Sequence, residues 1–308
     1  MFKKLTAIAA AAAMTLSLAA CNRDTQGGGD ASASGDVVLL VSTLNNPFFV
    51  DLRDGAQEKA DKLGVNLQVQ DAQNDASTQN NQIDNAIASG AALVIINPVD
   101  SDAAGPGVEK LNNADIPVIA VDRGVSSGEL ATFISSDNVA GGRQAAEELA
   151  KAIGEQGEVL ILQGIPGSSA SRDRGQGFEE GIAAFSGITV TAKQTANFDR
   201  SQGLDVTNNL LQANPAIKGI FAENDEMALG ALEAIGGSDV KVFGFDGTAD
   251  ALTAIADGRM VGTIAQQPKE LGALAVDAAA KILKGESVEK EIPVDVVSVL
   301  KSNVADFQ

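Results

Sequence analysis

From Asp36 onward, short apolar runs rich in β-branched residues alternate with longer segments of helical spacing, and the scheme is run through twice. In the first pass the runs are VVLLVSTL (37–44), 66–71, ALVIINP (92–98), PVIAVD (117–122) and 132–136. In the second they are EVLILQ (158–163), 189–193, KGIFA (218–222), VKVFGF (240–245) and 260–265. A strand that is apolar throughout, rather than at every second residue, is covered on both faces, and helical crossovers make its sheet parallel. The first helix is predicted from Pro47, a residue suited to a helix start, to Leu63, with Gly64 as its stop. Further helices are expected at about 76–89, 102–113, 139–153, 171–185, 201–213, 225–235 and 249–257. So many strands exceed one comfortable sheet. The pattern divides near Ser136–Asn138, and the predicted fold is α/β with two doubly wound parallel-sheet lobes. A last helix at about 269–284 and a strand at 294–299 fit either half.

Composition narrows the chemistry. The 308 residues include no histidine, tryptophan or tyrosine and a single cysteine. That excludes Ser-His-Asp and Cys-His catalysis, His-ligated zinc, an imidazole pH switch and an internal disulfide. A formal charge of −19 and a pI near 4.3 argue against a nucleic-acid partner. Phenylalanine, present 11 times, must supply any ring-stacking surface.

The N-terminus is an address. Lys3 and Lys4 precede Leu5–Ala20, an uncharged run. At 1.5 Å per residue it reaches about 24 Å, short of the ~30 Å hydrocarbon core. Residues 1–20 therefore read as a signal peptide. The segment ends Leu18-Ala19-Ala20-Cys21, which resembles the bacterial lipobox, with Cys21 the lipidated residue. Residues 21–35, made of Gly, Ser, Ala and polar residues, read as a lipid-anchored flexible linker. The implied protein is exported, in the periplasm or on the outer face of the cell membrane, and meets the membrane only through Cys21.

Candidate chemistry lies at strand ends, where open parallel sheets bind ligands. The residues there are Ser42, Asn46, Asn97, Asp122 and Arg123 in the first half, and Gln163, Asn224, Asp246 and Gln266 in the second. Carboxylate, amide and guanidinium groups can each grip neighbouring hydroxyls. Phe48, Phe49, Phe198 and Phe245 lie near the same ends and offer ring faces to the C–H faces of a sugar. Singly, each polar residue could be a helix cap and each Phe core; their recurrence at one edge of both halves points to a small polyol. Other chemistries fail. No phosphate-binding G-x-x-x-x-G-K-[ST] occurs, and Gly164-Ile165-Pro166-Gly167 lacks dinucleotide spacing. Asp71, Gln73 and Asp75 begin like a calcium loop, but Ala76 and Gln82 stand where Gly and Glu are needed, so no metal and no cofactor are expected. Asp122 and Asp246 could pair for glycoside hydrolysis, but Arg123 and Arg174 would hold both ionised and leave no general acid.

The segments STLNNPFFVDLRDGA (42–56), INPVDSDA (96–103), SASRDRGQGF (169–178), NFDRSQG (197–203), FAENDEMALGA (221–231), VFGFDGT (242–248) and TIAQQP (263–268) are more specific. From about Val37 to Val299 the chain resembles the ribose-binding branch of the type I periplasmic binding proteins, the substrate-binding components of bacterial ABC sugar importers. The resemblance implies two lobes joined by a three-crossing hinge: residues 36–136 plus 267–295, and 137–266 plus 296–308. It implies that Asn46, Asp122 and Arg123 hold sugar hydroxyls from the first lobe. Arg174, Asn224 and Asp246 would do so from the second, with Gln266 at a hinge. Phe48, Phe49 and Phe198 would sandwich the ring, while Ser42, Asn97, Ala170 and Phe245 line the pocket. The implied partners are D-ribose, or a close monosaccharide such as allose, and an ABC transporter permease. A monomer that binds without catalysis is expected. The alternatives are a core shared with lac-repressor-like regulators, which the export signal counts against, and an exported sugar-active enzyme. Pro166, Ser171 and Gly236-Gly237 depart from the family pattern on the second lobe.

Overall fold

The structure is a computed structural model and describes residues 35–308; the signal segment, Cys21 and all but the last linker residue lie outside the described residues. The first half of the chain runs β1 (Val37–Val41), α1 (Pro47–Leu63), β2 (Leu67–Asp71), α2 (Ala76–Ser89), β3 (Leu93–Ile96), α3 (Ser101–Asn113), β4 (Val118–Val121) and β5 (Thr132–Ser136). The second runs α4 (Asn138–Ala152), β6 (Gly157–Gln163), α5 (Ser169–Ile182), β7 (Ile188–Thr195), α6 (Arg200–Ala213), β8 (Ile217–Ala222), α7 (Asp225–Ile235), β9 (Lys241–Asp246), α8 (Ala249–Ala256) and β10 (Gly262–Ala265). It closes with α9 (Pro268–Leu283), β11 (Glu291–Val294) and β12 (Val297–Leu300).

The strands form two six-stranded sheets, ordered β11-β5-β4-β3-β1-β2 and β12-β10-β9-β8-β6-β7. β1, β3 and β4 are buried at every residue, as strands between two helical layers must be. Each sheet carries an apolar cluster on either face, built in the first around Leu39 and Ile95 on one side and Leu40 and Ile96 on the other. Period-two side-chain alternation sends neighbouring residues to opposite layers.

The expected single strand at 294–299 is two strands. Its first residue, Val294, ends β11, which is parallel to β5, while its last three lie in β12, antiparallel to β10 in the other sheet. The second lobe is therefore parallel except at this edge. Asp295 and Val296 carry the chain between sheets, one of three crossings, with Asp137 and Gln266–Gln267 the others. Asp137 N–H donates to Val294 O (3.1 Å), and Gln267 Nε2 donates to Asp295 O (3.1 Å), so the crossings are tied together.

Candidate functional site

Asn46 and Asn224 show how helix starts put side chains at the cleft. Each is an N-cap in extended conformation whose Oδ1 accepts from a backbone N–H two or three residues on, Phe48 (2.9 Å) and Met227 (2.9 Å) respectively. The capping bond fixes the amide oxygen, and Asn224 Nδ2 donates in turn to Phe198 O (3.3 Å). Pro47 then starts α1 and brings Phe48 and Phe49 to the same edge, their rings edge-to-face at 5.1 Å.

The two aspartates stand on strained turns. Asp122, just after β4, has φ +65°, and Asp246, at the end of β9, has φ +134°. Phe198 is left-handed too, with φ +59°. Such conformations cost of order 1–3 kcal/mol each for a residue with a side chain. Three of the eight non-glycine residues with positive φ among the described residues thus lie in one site.

These side chains meet. Asn46, Phe48, Phe49, Asp122 and Arg123 from one lobe and Ala170, Arg174, Phe198, Asn224 and Asp246 from the other line a narrow chamber with a cavity volume of about 10 Å3, nearly filled by their side chains. A neighbouring cavity of about 410 Å3, open to solvent, meets it at Phe48 and Asp246 and is also lined by Gln266.

Two acid–base pairs face the chamber. Asp122 Oδ2 lies 3.6 Å from Arg123 Nε and accepts from Asn97 Nδ2 at 3.0 Å, leaving Oδ1 without a protein partner. Arg123 donates through Nη1 to Pro98 O (3.2 Å), and its guanidinium carbon stands 5.1 Å from the Phe49 ring centre and 5.2 Å from that of Phe198. Across the cleft, Arg174 donates to Asn138 Oδ1 (2.9 Å), Glu223 O (2.7 Å) and Asp246 Oδ1 (3.5 Å). Its guanidinium lies 3.9 Å above Phe245. Gln266 Nε2 donates to Asp246 Oδ1 at 2.7 Å. Asp122 Oδ1, Arg123 Nε and Gln266 Oε1 are buried polar atoms without hydrogen-bond partners among the described residues. Such atoms cost about 1–3 kcal/mol each unless something in the cleft meets them. With two carboxylates and two guanidinia the chamber is formally neutral, which favours an uncharged, hydroxyl-rich guest over an ion.

Burial modifies the expected ionisation. It pushes the Asp122 carboxyl up, against the opposing pull of Arg123 and Arg174. It pushes Asp246 well up too, with Arg174 opposing and Asp225 and Asp122 adding repulsion. It pulls the Arg123 guanidinium down, against the pull of Asp122. The guanidinia offset desolvation here; they do not overcome it.

Of the residues singled out in the sequence, Ser42, Asn97 and Phe245 sit one layer behind the chamber. Asn97 accepts from Ser42 N–H (3.1 Å) and donates to Val121 O (3.2 Å) and to Asp122, so it aims that carboxylate. Phe245 is the floor beneath Arg174. Ala170 lines the chamber, and Gln266 borders it through Asp246. Sequence reasoning missed Asn138, Glu223 and Asp225, all buried. The acidic stretch 223–226 has the look of a solvated surface, yet Glu223, Asn224 and Asp225 pack inward at the end of β8. Their place at a strand end is the one signal that could have found them.

No ≥3-residue cluster of His, Cys, Asp and Glu among the described residues is arranged to hold a metal, and no described helix is long and apolar enough to cross a membrane. Two α/β lobes with a small polar chamber between them define a two-lobed receptor. The chain belongs to the periplasmic binding proteins, whose domain matches residues 37–287. It is 47% identical over 302 residues to the ribose import binding protein RbsB of Escherichia coli (strain K12), covering 97% of this chain and 99% of that protein. It is likewise 47% identical to RbsB of Bacillus subtilis (strain 168), over 82% of this chain and 83% of that protein. Among solved structures it resembles an ABC transporter periplasmic solute binding protein from Actinobacillus succinogenes 130z with bound D-allose (TM-score 0.83, 35% identity, 88% of this chain and 99% of that one). The Caulobacter myo-inositol binding protein bound to myo-inositol is similar at TM-score 0.84 and 36% identity, over 88% of this chain and 95% of that one.

Proposed function

We propose that this protein captures D-ribose between its lobes and delivers it to the permease of an ABC importer, as a binding protein and not an enzyme. The observation that carries this is the pair of facing clusters, Asp122–Arg123 and Arg174–Asp246, with buried atoms left for a ligand's hydroxyls. The identity to ribose import binding proteins along nearly the whole chain supports ribose as the sugar. In this reading Asn46, Asp122, Arg123, Arg174, Asn224, Asp246 and Gln266 bind hydroxyls, and Phe48, Phe49 and Phe198 cover the ring faces.

The mechanism follows from dividing the contacts. A sugar held by one lobe leaves the other lobe's polar groups in water; closure buries both sets. Hydrogen bonds to charged groups contribute about 1.5–3 kcal/mol each, so the ligand favours the closed form by its extra contacts there. The bodies that move are residues 36–136 with 267–295 and 137–266 with 296–308, about the three crossings. A chamber assembled from one chain supports a monomer. Calorimetry against a panel of pentoses and hexoses is expected to give the tightest binding for ribose, recovered unchanged, and a loss of at least about 100-fold for Asp122→Ala, which leaves Arg123 unpaired. Failure to bind any monosaccharide, or wild-type affinity in the variant, would refute this reading. A hexose such as allose is the second reading, favoured by the open cavity beside Asp246 and Gln266.

Export and a lipid anchor at Cys21 rest on the N-terminal sequence. Cys21→Ala is expected to move the protein from the membrane to the soluble fraction of the producing cells. Unchanged partitioning would remove the anchor.

A further inference from the structure

Resting on that reading, we propose that Asp225, which does not line the chamber, is the positioning residue of the second lobe: its buried carboxylate clamps the β9–α8 turn and so aims Asp246 at the ligand. The clamp has four donors. Asp225 Oδ2 accepts from Gly247 N–H (2.8 Å), Thr248 N–H (2.8 Å) and Thr248 Oγ1 (3.2 Å), and Oδ1 accepts from Thr263 Oγ1 (2.7 Å). The turn it holds is the strained one, with Asp246 at φ +134° and Gly247 at φ +83°. A residue with a side chain keeps such a conformation only where its surroundings over-determine it. Gly244 is part of the fit, since a Cβ there would collide with Asp225 Oδ1.

Stability alone gives a poor reason for this group. Asp225 is fully buried and has no ion-pair partner among the described residues, and desolvation pushes its carboxyl up to about 6 despite four donors. The first lobe solves the same problem with a neutral side chain, Asn97, bound to Asp122 on its own left-handed turn. Each proposed ligand aspartate thus has a buried polar residue from a neighbouring strand end holding it. In the second lobe that residue touches the backbone of the turn rather than the aspartate's carboxylate.

The test is a double-mutant cycle read by ribose calorimetry, with a structure of the variant beside it. Asp225→Ala is expected to weaken binding by about 30-fold or more, and by no more than about 2-fold when Asp246→Ala is already present, because residues acting through one another are non-additive. Asp225→Asn can still accept from the turn through its oxygen and donate to Thr263, so it is expected to bind within about 3-fold of wild type. Thr263→Val, milder for folding, should lie between, by about 3- to 10-fold, and again lose its effect beside Asp246→Ala. Additive losses would assign Asp225 a general structural role and overturn the proposal. A crystal structure of Asp225→Ala without sugar decides the matter separately from any ligand: Asp246 is expected to leave its positive φ, and an unchanged turn overturns the clamp even if ribose proves to be the wrong sugar.

Discussion

Glu223 is a single residue through which pH can reach the cleft. Its Oε2 accepts from Gly164 N–H (2.7 Å) and from the Ser171 hydroxyl, its Oε1 has no partner, and its backbone carbonyl receives Arg174. Burial pushes its carboxyl up to about 7, against the pull of those donors and of Arg174. A carboxyl raised in the folded state binds more protons there than in the unfolded chain. Its stabilising effect is therefore complete below its ordinary value near 4.5 and is lost as pH rises through about 7. Asp122, Asp225 and Asp246 are raised as well and act in the same direction. The surface carboxyls that neighbours hold low, Glu58, Asp75, Glu180 and Asp277, titrate below this window and do not cancel it. The midpoint of thermal unfolding without sugar is expected to fall between pH 6 and pH 8. Glu223→Gln, which cannot ionise, should flatten that slope and gain about 2–5 °C at pH 8, worth about 1–2 kcal/mol. An equal slope in the variant would show that Glu223 is not the group responsible. A chain without histidine can still sense neutral pH, by burying an acid. The sequence could mark Asn46 and Asn224 as cap or ligand residues; in the structure both cap their helices and both line the chamber.

At the scale of elements, legibility followed how locally each one is determined. β1, β3 and β4 are apolar at every position, and α1 carries its own start and stop in Pro47 and Gly64, whose φ is +68°. The break between β11 and β12 was illegible because VDVVSV has neither glycine nor proline to mark it; the partner sheets decide it. Pro293 in β11 was a usable hint of an edge strand, which is where that strand lies. Helix packing behaves likewise. Gly142 of α4 and Gly177 of α5 lie where a Cβ would strike the other helix's backbone, at Arg174 O and Val139 O. That close crossing sets the height at which α5 holds Arg174 between Asn138 and Phe245. Pairing these glycines requires knowing that the helices are neighbours, which sequence spacing does not supply.

At the scale of the whole molecule, the lobes touch through more than the chamber. The loop from β6 to α5 in the second lobe rests on the first lobe beside the start of α3. Ser101 N–H donates to Gly167 O (3.0 Å), Ser169 N–H to Ser101 Oγ (3.2 Å) and Gly124 N–H to Ser169 Oγ (2.9 Å). Three such bonds, at about 0.5–1.5 kcal/mol each, bias the lobes toward closure before any sugar adds its contacts. Apparent affinity scales with the fraction of molecules in the competent form, so this latch tunes sugar binding without touching sugar. Gly167 is its tightest point, since a Cβ there would run into the Asp100 carboxylate, which caps α3 and is not free to swing away. Gly167→Ala is expected to open the latch, weaken ribose binding by about 10-fold and enlarge the radius of gyration of the unliganded protein in X-ray scattering. Saturating ribose should return that radius to the wild-type value, because the chamber residues are intact and their contacts still favour closure. An unchanged radius with unchanged affinity would mean that the latch merely accompanies closure. A lasting expansion at saturation would mean that the β6–α5 loop, and Arg174 behind it, had been displaced.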